Sequence, residues 1–206
     1  MGNRSDTFNR ADSATTMGSP SDGGSAWVAG TASFWGISSN TAYKATSTSS
    51  YEASWLEASS AVVTVQVTLP NIGGTTNDGP VVRAADNSNF IMGQVMSTTQ
   101  MLLYKRVAGS FTQIGSTYTG TMTSGDVFKL TVNSSNNITF QQNGVTRVTG
   151  TDSAGSSNTK HGIFDRIGGS TSLNFEDFSI TDNAAASVSQ KLIFFSQQAV
   201  NRSATY

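Results

Sequence analysis

Few residues of this chain are suited to acid–base chemistry, and their spacing does not favour it. Hydrolysis of a glycosidic bond with retention of configuration needs two carboxyl groups about 5 Å apart. Glu176 and Asp177 form the closest carboxylate pair along the chain. Adjacent residues of a strand point to opposite faces of a sheet. We therefore interpret this pair as solvated residues of an edge strand, not as a catalytic dyad.

His161 is the single histidine of the sequence, and there is no cysteine. A catalytic triad would require a nucleophile and an orienting acid around this histidine, and the sequence alone does not bring such partners together. Because His161 lies between Lys160 and Gly162, we expect a surface residue at a strand edge. The lack of cysteine excludes a disulfide scaffold and thiolate zinc sites. The sequence predicts no catalytic residue, no cofactor and no enzyme.

Four aspartates, in or near predicted loops, could supply the hard oxygen ligands that calcium prefers. They are Asp78, Asp86, Asp152 and Asp165. Loop aspartates also form Asx-turns with their own backbone, which accounts for them without any metal. We therefore assign no metal site and keep calcium as the minor alternative.

Aromatic side chains offer a different chemistry, the stacking of sugar rings. Aromatic residues in alternating strands usually pack in the core or across strands. Tyr51 and Trp55 are the candidates for exposed sugar-stacking residues, because polar residues surround them, including Glu52 and Ser54.

The charge content argues against two large classes of partner. Only 12% of the 206 residues are charged, against about 25% in an average soluble protein, and the net charge is -1. Such a chain lacks the positive field that steers nucleic acid. It also lacks an apolar run long enough to cross a membrane and a secretory leader. We expect synthesis in a cytoplasm and no binding to nucleic acid or membrane.

Short alternating segments separated by turn residues predict an all-β fold. Residues 61–69 form the clearest strand, rich in β-branched residues and ended by Pro70. Asn143-Gly144 is the strongest hairpin signal. Turn signals every 8 to 12 residues or so are typical of a sandwich or barrel, and a jelly roll fits them best. Helix should be scarce.

Three segments carry a family resemblance: Asp6-Thr-Phe-Asn-Arg-Ala-Asp12, Trp35-Gly-Ile37 and Phe175-Glu-Asp-Phe178. Over about residues 5–182 the chain resembles concanavalin A-like (laminin-G-like) jelly-roll domains of the kind found in bacteriophage structural proteins and bacterial surface proteins. The resemblance implies an antiparallel jelly-roll β-sandwich closed by pairing of its first and last strands. A glucanase of this fold would be expected to carry Glu-x-Asp-x-x-Glu, which this sequence lacks.

The sequence divides into a predicted jelly-roll domain, residues 1–182, and a C-terminal arm, residues 183–206. The arm contains four consecutive apolar residues, Leu192, Ile193, Phe194 and Phe195. Left exposed, such a segment would aggregate. It could add a strand to its own sandwich or to a neighbouring subunit. We favour the second alternative and expect partner binding through these four residues and a homo-oligomer.

Together these features predict a non-enzymatic structural protein of a bacteriophage virion, made in the host cytoplasm. A capsid decoration (head-stabilising) protein on the particle surface is the preferred form. Its partners would be major capsid or tail subunits, and many weak contacts would add up through valency. The alternative is a carbohydrate-binding module of a phage tail or bacterial surface protein, with a glycan as its partner.

Overall fold

The protein is built from β-strands throughout its described part. The computed structural model describes residues 2–168 and 175–184, and these ranges contain strands and no helix. None of these residues therefore belongs to a helical membrane span. The strands in chain order are β1 (Arg4–Asp6), β2 (Val28–Ala29), β3 (Trp35–Ser38), β4 (Thr41–Lys44), β5 (Glu52–Glu57), β6 (Val63–Leu69), β7 (Asp78–Asp86), β8 (Asn89–Ser97), β9 (Gln100–Val107), β10 (Ser110–Gln113), β11 (Tyr118–Thr119), β12 (Asp126–Val132), β13 (Asn137–Gln142), β14 (Val145–Thr151), β15 (Lys160–Asp165) and β16 (Glu176–Asp182).

Two antiparallel sheets form a sandwich, which confirms the predicted fold class. The six-stranded sheet has the order β1-β16-β6-β12-β13-β14. The eight-stranded sheet has the order β10-β9-β8-β7-β15-β5-β2, with β11 also paired to β9. β3 and β4 form a separate hairpin that touches the rest through a bridge from Ala42 to Phe175.

The main core lies between these sheets. In β6 every second residue is buried, from Val63 to Leu69, so the alternation predicted from the sequence is confirmed. Gly93 of β8 faces Phe140 of β13 across the sandwich. A Cβ atom at Gly93 would lie 2.6 Å from the Phe140 ring. The missing side chain therefore makes room for an aromatic ring from the opposite sheet.

The first and last described strands pair, as the resemblance implied. Arg4 of β1 is opposite Ile180 of β16. The buried carboxylate of Asp6 ties this junction to the following segment: it accepts hydrogen bonds from the Trp27 indole at 2.7 Å and from Arg10. The Trp27 ring packs edge-on against Phe178 at 4.8 Å between centroids. The aspartate near the start of the chain is thus a structural residue.

The β7–β8 hairpin bends back across the eight-stranded sheet. Asn87, at the tip of this hairpin, accepts a hydrogen bond from the Ala53 backbone at 2.9 Å and donates one to Glu52 at 2.8 Å. Both partners belong to β5, and β15 lies between β7 and β5 in the sheet. The hairpin must therefore cross β15. We call the face that it crosses, which is turned away from the six-stranded sheet, the outer face.

The bend encloses a second apolar cluster on the outer face, separate from the main core. Arg83 of β7 has a positive φ of 55°, and the strand register shifts beyond Val82, as expected at a bulge. The cluster, which we call the outer cluster, consists of Ala53, Trp55, Val81, Ala84, Phe90, Met92 and Phe164.

The hairpin turn predicted at Asn143-Gly144 is confirmed. Asn143 and Gly144 connect β13 to β14 with φ angles of 49° and 80°. Positive φ at both central residues is the requirement of a type I′ hairpin turn. Short turns at residues 87–88 and 108–109 likewise join β7 to β8 and β9 to β10.

Candidate functional site: an aromatic patch on the outer face

The outer cluster reaches the surface at a group of aromatic side chains. Tyr51, Tyr104 and Phe111 gather beside the buried ring of Phe164, and we call these four residues the aromatic patch. The Tyr51 and Phe111 ring centroids are 4.4 Å apart, and Tyr51 stacks on Phe164 at 6.0 Å. Phe111 is 39% exposed, whereas Phe164 is fully buried. The patch is therefore a partly exposed ring pair on a buried apolar base.

The sheet register explains how distant residues form this patch. Phe111 of β10 is directly opposite Arg106 of β9, and Gln113 is opposite Tyr104. Side chains of directly opposed residues lie on one face of the sheet. Phe111, Arg106 and Tyr104 therefore share the outer face. Tyr51 comes from the segment that enters β5 and meets them from the other side of the bent sheet.

Polar and cationic groups border the aromatic patch. The Arg106 guanidinium lies 5.1 Å from the Phe111 ring centroid and 5.9 Å from that of Phe90. Its Nη1 donates to the carbonyl oxygens of Tyr51 at 3.2 Å and Asn87 at 2.5 Å. Arg106 thus links the folded hairpin to β5 and holds the Tyr51 backbone in place.

Arg166 provides a second guanidinium, 5.4 Å from the Tyr51 ring centroid. Its backbone is fixed from below, because the buried Lys44 ammonium donates to the Arg166 carbonyl at 2.9 Å. Lys44 also donates to the carbonyls of Thr48 and Ser50, at 2.9 and 2.7 Å. Burial lowers the pKa of Lys44, and the nearby carboxyls of Asp165, Glu52 and Asp78 oppose this shift.

A cavity of about 290 Å³ is lined in part by Arg106. Phe90, Val107 and Ala154 give it a mainly apolar lining, and Arg106 forms part of its wall. The volume is near the lower end of the range for small-molecule sites. Arg106 therefore borders both the aromatic patch and this cavity.

The four aspartates considered as calcium ligands do not form one site. Asp86 accepts hydrogen bonds from the Ser88 backbone at 2.7 Å and from Asn89, as in an Asx-turn. Asp152 pairs with Lys105 at 2.7 Å. Only Asp78 and Asp165 come together, opposite each other on β7 and β15. The described ranges contain no group of three or more histidine, cysteine or acidic residues arranged to hold a metal ion.

His161 is not a surface residue, so that prediction is wrong. It lies in β15, between β7 and β5, and has no exposed surface. Its Nδ1 accepts a hydrogen bond from the Arg83 backbone at 3.1 Å, and its Nε2 donates to the Ser60 carbonyl at 2.9 Å. Burial lowers its pKa to about 4. His161 is a neutral structural residue, and sequence reasoning failed because it took β15 for an edge strand.

The two predicted sugar-stacking residues have different environments. Trp55 is only 5% exposed and belongs to the outer cluster, with the Lys160 ammonium 5.6 Å above its ring. The expectation that Trp55 is exposed is therefore wrong, because the folded hairpin covers it. Tyr51 is half-buried and lies in the aromatic patch. Sequence reasoning missed Phe111. The only indication in the sequence is that Phe111 is the single apolar residue of the short polar strand 110–113.

The C-terminal residues Leu192, Ile193, Phe194 and Phe195 lie outside the described residues. The predicted partner binding through this segment therefore stays a prediction, as does the domain boundary after residue 182. Glu176 and Asp177 lie at the start of β16, where the register with β6 shifts.

Comparison with solved structures identifies the fold. No protein-family model matches the chain, and no curated protein sequence matches it. The carbohydrate-binding module CBM66 from Bacillus subtilis aligns with a TM-score of 0.55 and 12% identity, over 76% of this chain and 92% of that one. β-Agarase B from Zobellia galactanivorans gives a TM-score of 0.55 and 9% identity, over 86% and 91% of the two chains.

A third structure, the metal-free carbohydrate recognition domain of Emp46p, gives a TM-score of 0.50 at 13% identity, over 77% of this chain and 89% of that one. The protein therefore has the concanavalin A-like jelly-roll fold that the sequence predicted. Identities this low establish the fold and leave the function to the chemistry of the site.

Proposed function

We propose that the protein binds carbohydrate through the aromatic patch. The observation that carries this proposal is the partly exposed ring pair of Tyr51 and Phe111 on the outer face, at 4.4 Å between centroids. A pyranose ring has an apolar C–H face that packs on aromatic rings and hydroxyl groups that hydrogen-bond at the edge. An exposed aromatic pair with a polar border supplies both kinds of contact.

The rigidity of the patch supports this function. Gln94 donates a hydrogen bond to the Asn77 side chain at 2.7 Å and approaches the Tyr51 hydroxyl at 3.4 Å. Phe164 supports the Tyr51 ring from below, and Arg106 holds the Tyr51 carbonyl. Rings that are held before the ligand arrives lose little conformational entropy on binding. The solved structures of similar fold include a carbohydrate-binding module and a carbohydrate recognition domain.

We propose binding without hydrolysis. The sequence lacks Glu-x-Asp-x-x-Glu. The directly opposed carboxyls of Asp78 and Asp165 are fully buried. A substrate cannot reach this pair, so it does not provide the acid and base of a glycoside hydrolase.

Affinity electrophoresis against a panel of soluble polysaccharides tests the proposal. The wild type should be retarded by at least one polysaccharide, and Tyr51→Ala and Phe111→Ala should each abolish the retardation. Tyr43→Ala is the matched control, because Tyr43 is a half-buried tyrosine of the β3–β4 hairpin, outside the patch. Equal loss in the Tyr43 variant, or no retardation of the wild type by any polysaccharide, would contradict the assignment.

The role as a capsid decoration protein stays a prediction, because it depends on residues 183–206. A truncation after Asp182 separates the two functions. Sugar binding through the patch should survive this truncation, whereas attachment to virions through the arm should be lost. Co-sedimentation with particles and affinity electrophoresis, run on the same two proteins, distinguish them.

A further inference from the structure

We propose that the aromatic patch recognises an acidic polysaccharide whose sugar rings carry carboxylates, with Arg166 and Arg106 as the groups that bind the carboxylate. This inference rests on the proposed carbohydrate-binding function and specifies the class of sugar. Its starting point is the charge at the patch. The sequence contains only 12 lysines and arginines, yet two guanidinium groups lie within 5.4 Å of the Tyr51–Phe111 ring pair.

Three other cations of the described chain are neutralised by carboxylates. Arg4 pairs with Asp22 at 2.9 Å, Arg10 pairs with Asp6, and Lys105 pairs with Asp152 at 2.7 Å. Within residues 2–168 and 175–184, neither Arg106 nor Arg166 forms an ion pair. The border of the aromatic patch therefore carries two guanidinium groups that form no ion pair with a described carboxylate, and an anionic ligand would complement them.

Arg166 is positioned before any ligand arrives. Lys44 holds its carbonyl oxygen, and the next backbone N–H, that of Ile167, donates to Asp165 Oδ1 at 2.6 Å. Both anchoring side chains are fully buried. The Arg166 side chain starts from this fixed point and its guanidinium lies over the Tyr51 ring. A sugar packed on the exposed Phe111 ring, beside Tyr51, would thus present its substituents to Arg166.

Arg106 is held in a single orientation as well. Its Nη1 binds two carbonyl oxygens and its Nε donates to the Gly109 carbonyl at 3.4 Å. Within the described residues these bonds leave Nη2 without a hydrogen bond. Arg106 therefore offers one amino group, whereas the Arg166 guanidinium forms no side-chain hydrogen bond with a described residue and offers its planar fork. A carboxylate is planar and takes such a fork through two parallel hydrogen bonds, so we assign the anion as the carboxylate of a uronic acid.

Isothermal titration calorimetry with a galacturonic acid hexamer and its methyl ester tests the inference. The two ligands share the same rings, and only the acid carries charge. The acid should bind at least tenfold more tightly than the ester at low salt, since a charge-assisted hydrogen bond is worth about 1.5–3 kcal/mol. Raising the NaCl concentration should remove most of this difference.

Substitutions locate the binding group. Arg166→Gln should reduce affinity for the acid by about tenfold or more and leave affinity for the ester unchanged. Arg166→Lys keeps the positive charge but loses the planar guanidinium, so its affinity for the acid should lie between those of Arg166→Gln and the wild type. Arg147→Gln is the matched control, because Arg147 also lies over an aromatic ring, that of Tyr118 at 4.8 Å, outside the patch.

The outcomes separate this inference from the function on which it rests. Equal binding of acid and ester, or binding of neutral polysaccharides alone, overturns the acidic class and leaves carbohydrate binding intact. Tighter binding of a sulfated oligosaccharide than of the uronate overturns the carboxylate assignment. If Arg166→Gln and Arg147→Gln lose affinity equally, Arg166 is not the binding group. If no carbohydrate binds, both proposals fail.

Discussion

Asp78 of β7 and Asp165 of β15 face each other directly across two paired strands, and both carboxyls are buried. Within the described residues, both oxygens of Asp78 and Oδ2 of Asp165 receive no hydrogen bond from any other group. Burial and the neighbouring Asp165 raise the pKa of Asp78 well above its usual range, and burial also raises that of Asp165. A proton shared between the two carboxyls satisfies one oxygen of Asp78 and Oδ2 of Asp165.

This shared proton predicts that stability declines as pH rises. The unfolded chain releases the proton near the ordinary aspartate pKa of about 3.9, whereas the folded protein keeps it to higher pH. The contribution is therefore complete below that pKa and is lost as pH rises through the raised folded pKa. Asp78→Asn imitates the protonated acid. The melting temperature of Asp78→Asn should therefore rise relative to that of the wild type as pH increases from 4 to 9.

Asp86→Asn is the control for this measurement. Hydrogen bonds from Asn89 and from the Ser88 backbone lower the pKa of Asp86. A carboxyl whose pKa is lowered on folding stabilises the folded protein at pH values above its unfolded pKa. The melting temperature of Asp86→Asn should therefore fall relative to that of the wild type as pH rises from about 3 to 5. A constant offset between Asp78→Asn and the wild type at every pH would show that no proton is shared.

His161 predicts a dependence of opposite sign. Its pKa falls from 6.5 to about 4 because the ring is buried, a change worth roughly 3 kcal/mol at about 1.4 kcal/mol per unit. The unfolded chain takes up a proton below pH 6.5, whereas the folded ring stays neutral. Stability should therefore fall as pH decreases from 6.5 toward 4. Denaturant unfolding of His161→Gln checks this prediction. The variant should be less stable than the wild type at pH 7, and its free energy of unfolding should depend less on pH between 4 and 6.5. An unchanged pH dependence would contradict the prediction.

Gly93→Ala should test the contact between the two sheets. The added Cβ would lie 2.6 Å from the Phe140 ring, which is fully buried in the core. Such overpacking costs about 1–3 kcal/mol of unfolding free energy. Gly74→Ala, at a glycine with nothing within 4 Å, provides the neutral comparison. Urea titrations measure both, and Phe140→Leu should restore part of the loss when combined with Gly93→Ala.

Asp6→Asn should weaken the junction near the start of the chain. The carboxylate is buried and binds Arg10 and the Trp27 indole. Arg10 is 23% exposed, so the ion pair is only partly buried, and the substitution should cost about 1–3 kcal/mol. Asp12→Asn, at an exposed residue that accepts one hydrogen bond from the Ser39 backbone, should cost much less. Similar losses of melting temperature in the two variants would exclude a special role for Asp6.

Local patterns made much of the fold predictable. The alternation of residues 63–69 identified β6, because burial of one face repeats every second residue. Asn143-Gly144 identified a hairpin, because few other residue pairs adopt positive φ twice in succession. Pairing of β1 with β16 was accessible only through the family resemblance, since the sequence of a strand does not identify its partner.

The candidate site was much less predictable, because it depends on contacts between distant residues. Tyr51 and Phe111 are sixty positions apart and meet only because the sheet bends. The same bend buries Trp55 under the β7–β8 hairpin, although its sequence neighbours are polar. The order of the strands also determines the burial of His161, because β5 and β7 pair with the two edges of β15.

The pairing of β1 with β16 places both ends of the described body on the sheet opposite to the aromatic patch. The Asp182 backbone N–H donates to the Asn3 side chain at 3.0 Å, so the two ends of the described body are neighbours in the six-stranded sheet. The aromatic patch lies on the far surface of the opposite sheet. A fluorophore, bead or fusion partner joined at either end would leave the patch facing outward. Immobilised protein should thus retain its ligand capacity, and a permutant with its ends linked should be viable.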